Sequence, residues 1–280
     1  MFPESFLLWP RIALRVQRSA SGVRPVISQT GGVAAFFDLD GTLAPFPSLE
    51  WRLSRSLRKQ GLVPRENYLA WLGATLRLFA TRGASAARHE NKLYLRGLSA
   101  RDLALYCEQE VRLAEPLFFA PAMERLLGHA FEGHAIVIVS GTFLPLACVT
   151  VRLLESAMHA RGANTRVLLR CTHLEERRGR CTGRVIGRAM CGLAKASAVR
   201  RLANQRGWDL ARCFAYGDSS ADRCMLSCVG HPAAVNPSLA LRCIAHRRGW
   251  PVVVWRGESL SDARGLVERS QARLKTPLET

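Results

Sequence analysis

Four short apolar runs punctuate the chain. Val33-Ala34-Ala35-Phe36-Phe37 ends in Asp38-Leu39-Asp40-Gly41-Thr42, and Ala135-Ile136-Val137-Ile138-Val139 ends in Ser140-Gly141-Thr142. Cys213-Phe214-Ala215-Tyr216 ends in Gly217-Asp218-Ser219, and Pro251-Val252-Val253-Val254-Trp255 is the fourth. Each is a continuous run of strand length, as expected of a strand buried on both faces of a parallel sheet. Ligands of open α/β sheets bind at the carboxyl ends of the strands. The three polar turns are therefore expected to converge on one site.

Between the first and second runs, Pro45 to Pro121 holds no comparable run. Leu69, Leu72, Leu76 and Phe79 recur there at spacings of three and four, which predicts helix. The segment is too long for a strand-to-strand loop. Arg166-Val167-Leu168-Leu169 through Cys181-Thr182-Gly183-Arg184-Val185 reads as two strands around a polar turn, Glu175 to Gly179. Ala196 to Gln205 is expected to be a helix stopped by Gly207. The pattern predicts an α/β fold: a Rossmann-like doubly wound parallel sheet with a small helical cap inserted after its first strand. The core would take residues 31–44 and 117–257 and the cap residues 45–116. A basic N-terminal arm, residues 1–30, and a C-terminal tail, residues 258–280, would flank them.

Composition changes this picture only in part. A hydrophobic share of 48% over 280 residues fills a core and excludes global disorder. The formal net charge of +18 points toward nucleic acid or an anionic surface. However, only Lys59, Lys92, Lys195 and Lys275 are lysines, so much of the charge is a chain-wide preference for Arg. No nucleic-acid-binding motif is recognisable. Arg52 to Arg101 carries eleven basic residues against Glu66 and Glu90. That stretch is either a solvated Arg-rich helix face or a field that draws in an anionic substrate. The nine cysteines form no C-x-x-C pair, so they read as reduced, mostly buried thiols of a cytoplasmic protein. Ala135 to Val151 is uncharged but broken by Ser140, Gly141, Thr142 and Pro145. It is expected to be a strand, a turn and a helix start rather than a membrane span. Phe6-Leu7-Leu8-Trp9 is cut short by Pro10 and Arg11, a poor signal peptide.

Candidate chemistry gathers at the strand ends. Residues two apart at a strand end project to one side, so Asp38 and Asp40 present paired carboxylates. Such a pair needs a cation or a shared proton. One would serve as nucleophile and metal ligand, the other as proton carrier. Asp218 and Asp222, four apart, suit either helix capping or a hard-cation site. Ser140-Gly141-Thr142 offers hydroxyls and backbone N–H groups for phosphate, or an ordinary N-cap. Lys195 stands at the start of a helix in a composition that disfavours lysine, where an ammonium could hold phosphate oxygens.

In this order the four pieces resemble the haloacid dehalogenase-like hydrolase superfamily. Asp38-Leu39-Asp40-Gly41-Thr42 matches its first motif, Ser140 its second, Lys195 its third, and Gly217-Asp218-Ser219-Ser220-Ala221-Asp222 its fourth. The phosphoserine-phosphatase-like branch is suggested by Asn91-Lys92-Leu93-Tyr94-Leu95-Arg96-Gly97-Leu98, by Thr182-Gly183, and by Gly230 to Pro237 followed by Gly249-Trp250-Pro251-Val252.

The resemblance implies a Mg²⁺-dependent phosphatase acting on a small phosphomonoester through an aspartyl-phosphate. Mg²⁺ would be held by Asp38, the backbone carbonyl of Asp40, and Asp218. Asp38 would attack phosphorus and Asp40 would serve as acid, then base. Thr42, Ser140, Gly141 and Lys195 would bind the phosphoryl group, with Asp222 in support. Phosphoserine phosphatases of this branch bind the substrate amine through a cap Glu. Here Glu50 stands displaced among Phe46, Leu49 and Trp51, which argues against phosphoserine and for a more lipophilic or larger substrate. The alternatives are a phosphotransferase to an alcohol acceptor and, in a different class, a basic nucleic-acid-binding protein.

Overall fold

The computed structural model describes residues 32–114 and 117–255; the expected basic arm and C-terminal tail lie outside them. Side-chain alternation builds the sheet. In β1 (Ala34–Phe37), Ala34 and Phe36 pack on one face with Val137, Val139 and Ala215. Ala35 and Phe37 pack on the other with Ile136, Ile138 and Tyr216. Both faces are covered, which is why the run shows no polar alternation. β2 (Ala135–Phe143) and β6 (Phe214–Gly217) flank β1 in parallel, setting Phe37 opposite both Ile138 and Tyr216. With β3 (Leu168–Thr172), β7 (His231–Val235) and β8 (Val252–Val253) they form one sheet, ordered β3-β2-β1-β6-β7-β8 and parallel throughout.

Three long helices follow β1: α1 (Leu49–Lys59), α2 (Arg65–Glu90) and α3 (Ala100–Arg112). Ser48 and Ser99 cap α1 and α3 by accepting from Trp51 N and Asp102 N. Gly83, at φ 83° and ψ 175°, breaks α2 into two segments. Leu53, Leu57, Leu103, Cys107 and Val111 share a buried cluster with Phe37 and Ile138, so this helical segment packs onto the sheet's own core. The remaining helices are α4 (Ala120–Phe131), α5 (Leu144–His159), α6 (Leu193–Arg206), α7 (Arg223–Leu226) and α8 (Leu239–Arg248). α6 ends at Gly207, whose left-handed φ of 68° serves as its C-cap.

Two local expectations are corrected. Leu168 and Leu169 do not open a hairpin; they pair with Val137 and Ile138 as the edge of the parallel sheet. The hairpin is β4 (Leu174–Arg177) with β5 (Arg180–Val185), so its first strand begins where the turn was expected. Ser140-Gly141-Thr142 is not a turn either. β2 runs through it to Phe143, with a register shift against β3, and α5 follows directly.

Candidate active site

The order β2-β1-β6 sets three strand ends side by side, where the chain changes direction across the sheet. Asp38 follows β1 and is tied to β6 by its N–H to the Tyr216 carbonyl, 2.9 Å. Asp218 follows β6, and Ser140 and Gly141 lie in the last part of β2. Lys195 arrives from the first turn of α6, which Gly192 N anchors to Ala221 O. The sheet thus brings together Asp38, Asp40, Ser140, Gly141, Lys195 and Asp218 on the wall of one cavity of about 840 Å³.

Lys195 Nζ is 2.8 Å from Asp38 Oδ1 and 2.6 Å from Asp222 Oδ1. The second Asp222 oxygen accepts from Ser219 N at 3.0 Å and Ser219 Oγ at 2.9 Å. Both Asp222 oxygens are therefore engaged, and this fully buried carboxylate holds the lysine. Burial alone would lower the Lys195 ammonium, but Asp222 and Asp38 hold it above its ordinary value. Burial, then the Asp222 charge, push the Asp38 carboxyl up to about 7. Burial, with Asp38 and Asp222, pushes Asp218 up to about 8.

Asp40 is handled differently. Its Oδ2 accepts from Thr142 Oγ1 at 2.7 Å and its Oδ1 from Leu49 N at 3.0 Å. Burial raises its carboxyl while these two bonds temper the rise. A carboxyl held in place and pushed up is suited to carrying a proton. Gly41 turns the chain immediately after Asp40 at φ +84°. A Cβ there would lie 2.5 Å from Asp218 Oδ2 and from the Phe46 ring.

Ligand atoms of Asp38, Asp218 and Asp222 lie within 4.8 Å of one another. An all-oxygen set of buried carboxylates, balanced by one ammonium that bonds two of them, fits a hard divalent cation.

Thr42 is the expected phosphate ligand that the fold does not bring to the wall. It is fully buried, and its hydroxyl has no hydrogen-bond partner among the described residues. Glu50 does reach the wall, but it forms a part-buried ion pair with Lys92 and accepts from the Tyr94 hydroxyl at 2.9 Å. The sequence pointed to Thr142 as a phosphate contact rather than as the residue that holds Asp40, and it did not point to His89 or Asn236. His89 from α2 lies against Gly141, where a Cβ would come within 2.7 Å of Nδ1. Asn236 donates to Gly41 O at 3.0 Å and accepts from Trp255 N at 2.8 Å, fastening the Asp38–Asp40 loop to the far side of the sheet. A polar residue closing the apolar run Ala233-Ala234-Val235 was the available signal for Asn236.

Comparison with known proteins agrees with this layout. A family model described as "haloacid dehalogenase-like hydrolase" matches residues 35–227. The chain is 34% identical over 226 residues to the "Inhibition of morphological differentiation protein" of Streptomyces azureus, covering 79% of this chain and 77% of that one. It is 30% identical over 244 residues to a phosphoserine phosphatase of Mycobacterium tuberculosis, covering 85% and 75%. A Bordetella pertussis protein of unknown function superposes with a TM-score of 0.63 at 26% identity, over 81% of this chain and all of that one. An apo phosphoserine phosphatase shares the fold, with a TM-score of 0.54 at 17% identity over 82% and 96%. The chain belongs to the haloacid dehalogenase-like hydrolase family, on its phosphoserine-phosphatase-like side.

Proposed function

We propose that this chain, a phosphatase of its family, hydrolyses a lipophilic phosphomonoester with Mg²⁺ through an aspartyl-phosphate on Asp38. The observation that carries the reading is the buried Asp38–Lys195–Asp222 chain opening onto the cavity beside a separately held Asp40. The cation would be held by Asp38, the Asp40 carbonyl and Asp218. Bound there, it would neutralise charge on the phosphoryl oxygens and on the aspartates.

An Asp38 carboxylate oxygen attacks phosphorus in line, and the bond to the leaving oxygen breaks as Asp40 delivers its proton. Water then attacks the phosphoryl group, Asp40 takes the water's proton, and the bond to Asp38 breaks to release inorganic phosphate. Ser140, the Gly141 N–H and Lys195 steady the oxygens where negative charge builds. Within the cap, helices α1 and α2 roof the cavity and shape specificity.

Two features bear on substrate and one on location. Glu50 is already neutralised by Lys92, so it is poorly placed to recruit a substrate ammonium. Phe46, Trp51, Val63, Trp71 and Phe79 line the cavity, which suits an apolar body. The nine cysteines are free, which supports a reducing, cytoplasmic location. Among the described residues no helix is long and apolar enough to cross a membrane.

The test is hydrolysis of p-nitrophenyl phosphate by wild type and Asp38→Asn, each with Mg²⁺ or EDTA. Turnover should appear only in wild type with Mg²⁺. Equal rates in the two proteins would remove Asp38 from the nucleophile's role.

A further inference from the structure

α2 departs from the other helices in what it exposes. Its inward side carries Asn67, Trp71 and Thr75, whereas Leu69, Leu72, Leu76 and Phe79 stand 67%, 43%, 64% and 61% exposed. At 100° per residue these four fall within one face, flanked by exposed Tyr68, and run about 15 Å along the axis. Asn67 to Leu76 contains no charged residue. Among the described residues no other helix lines up four exposed large apolar side chains. A helix that turns an apolar stripe of this length to the outside is unusual for a surface in water.

The surroundings of the stripe are basic. From Trp51 to His89 the chain carries eight Lys and Arg residues and one acid, Glu66. Arg55, Arg58, Lys59, Arg65 and Arg77 are exposed. Arg58 lies over the Tyr68 ring at 5.7 Å and Arg55 over Trp51 at 5.3 Å, so α1 delivers guanidinium groups to the edge of the stripe. An apolar helix face rimmed by arginines matches the interfacial zone of an anionic bilayer. There the apolar side chains enter the acyl boundary and the guanidinium groups meet lipid phosphates.

The stripe is also continuous with the active-site cavity. Tyr68 and Phe79 are exposed on α2 and line the cavity wall, as do Arg55 and Arg58. Trp71, Trp51 and Phe46 line the same cavity as Asp38. A volume of about 840 Å³ exceeds the needs of a phosphate on a three-carbon metabolite.

We propose that α2 seats the protein on an anionic membrane surface and that its substrate is a lipid phosphomonoester, headgroup at Asp38 and chain leaving past Phe79. This rests on the phosphatase reading above and goes beyond it by assigning the surface and the substrate class. The arginines at the mouth hold neighbouring anionic headgroups, and the apolar stripe lets the substrate's chain remain partly in the bilayer.

The experiment uses the full chain and the double variant Leu69→Glu/Leu76→Glu, whose positions lie off the cavity wall. Flotation is measured with phosphatidylcholine vesicles and with vesicles of equal phosphatidylcholine and phosphatidylglycerol. Hydrolysis is measured on long-chain phosphatidate in the anionic vesicles, on a short-chain soluble phosphatidate, and on p-nitrophenyl phosphate.

Wild type should float with anionic vesicles only, and its kcat/KM on the vesicle-borne lipid should exceed that on the soluble analogue by about tenfold or more. The double variant should stay in solution and lose that advantage while keeping its rate on p-nitrophenyl phosphate. Unchanged flotation of the variant would overturn the assignment of α2. So would a dimer in sedimentation that the variant dissolves while neither protein floats. Preference for the soluble analogue would overturn the lipid substrate. Absence of p-nitrophenyl phosphate turnover in wild type would instead sink the phosphatase reading itself.

Discussion

Asp218→Asn should stabilise the metal-free protein. Three aspartates crowd this site, and Lys195 bonds only Asp38 and Asp222, leaving the Asp218 charge to be carried by the protein against burial. Its carboxyl stands at about 8 in the fold against 3.8 as an ordinary group. Between those values the folded state binds more protons than the unfolded one, so this group erodes stability as pH rises through the window. At about 1.4 kcal/mol per unit of pH, the ceiling is ~6 kcal/mol above pH 8. Water entering the cavity and relaxation of neighbouring carboxylates bring the expected gain to about 1–3 kcal/mol. For a domain of this size that is a rise in Tm of roughly 2–10 °C. The assay is thermal unfolding in EDTA at about pH 5 and about pH 9, where the Asn variant should gain little at the first and most at the second. Mg²⁺ should then stabilise wild type more than the variant. An Asn variant no more stable than wild type at the higher pH would refute the claim that these carboxylates are poised for a cation.

Lys195→Met leaves Asp38 and Asp222 buried without their shared ammonium. It should cost about 3–5 kcal/mol in urea unfolding and abolish turnover; loss of activity with unchanged stability would contradict the structural half of that role. Gly41→Ala should cost about 1–3 kcal/mol from its φ of +84° and displace Asp218, lowering kcat by about a hundredfold or more, which steady-state kinetics would detect. His129, bonded to the Tyr216 hydroxyl at 2.8 Å and facing His134, Glu132 and Arg125, is pushed down to about 4 by burial, then by His134. An unfolded histidine protonates near 6.5, so His129 should cost stability as pH falls from 6.5 toward 4. His129→Gln should flatten that limb of the urea midpoint against pH.

The strands that carry the site were legible because β1, the start of β2 and β6 are buried on both faces and read as unbroken apolar runs. β3 was misread because Arg170 cuts short the apolar run Val167-Leu168-Leu169 with a charge. β7 escaped notice as a strand because Pro232 and two alanines give it little hydrophobic signal. The proline is tolerated because β8 pairs only with Ala234 and Val235, leaving its missing N–H on an open edge. Lys195 could be picked out because lysine is scarce, and the fold bonds it to Asp38 and Asp222. The Thr142–Asp40 bond and the Lys92–Glu50 pair join residues 102 and 42 positions apart, and no local pattern encodes such contacts. The exposed stripe of α2 had the spacing of a buried face. Periodicity identifies an apolar side of a helix without saying what covers it.

The central claim is that phosphorus is transferred to Asp38. Its most direct test is acid quench of the enzyme during turnover of p-nitrophenyl phosphate with Mg²⁺, borohydride reduction, and peptide mass mapping, using Asp40→Asn to slow hydrolysis of the intermediate, since p-nitrophenolate departs without a proton from Asp40. Borohydride converts an aspartyl-phosphate to homoserine, so homoserine should appear at position 38 only when substrate is present. Its absence there, or its appearance at another carboxylate while turnover proceeds, would contradict the account.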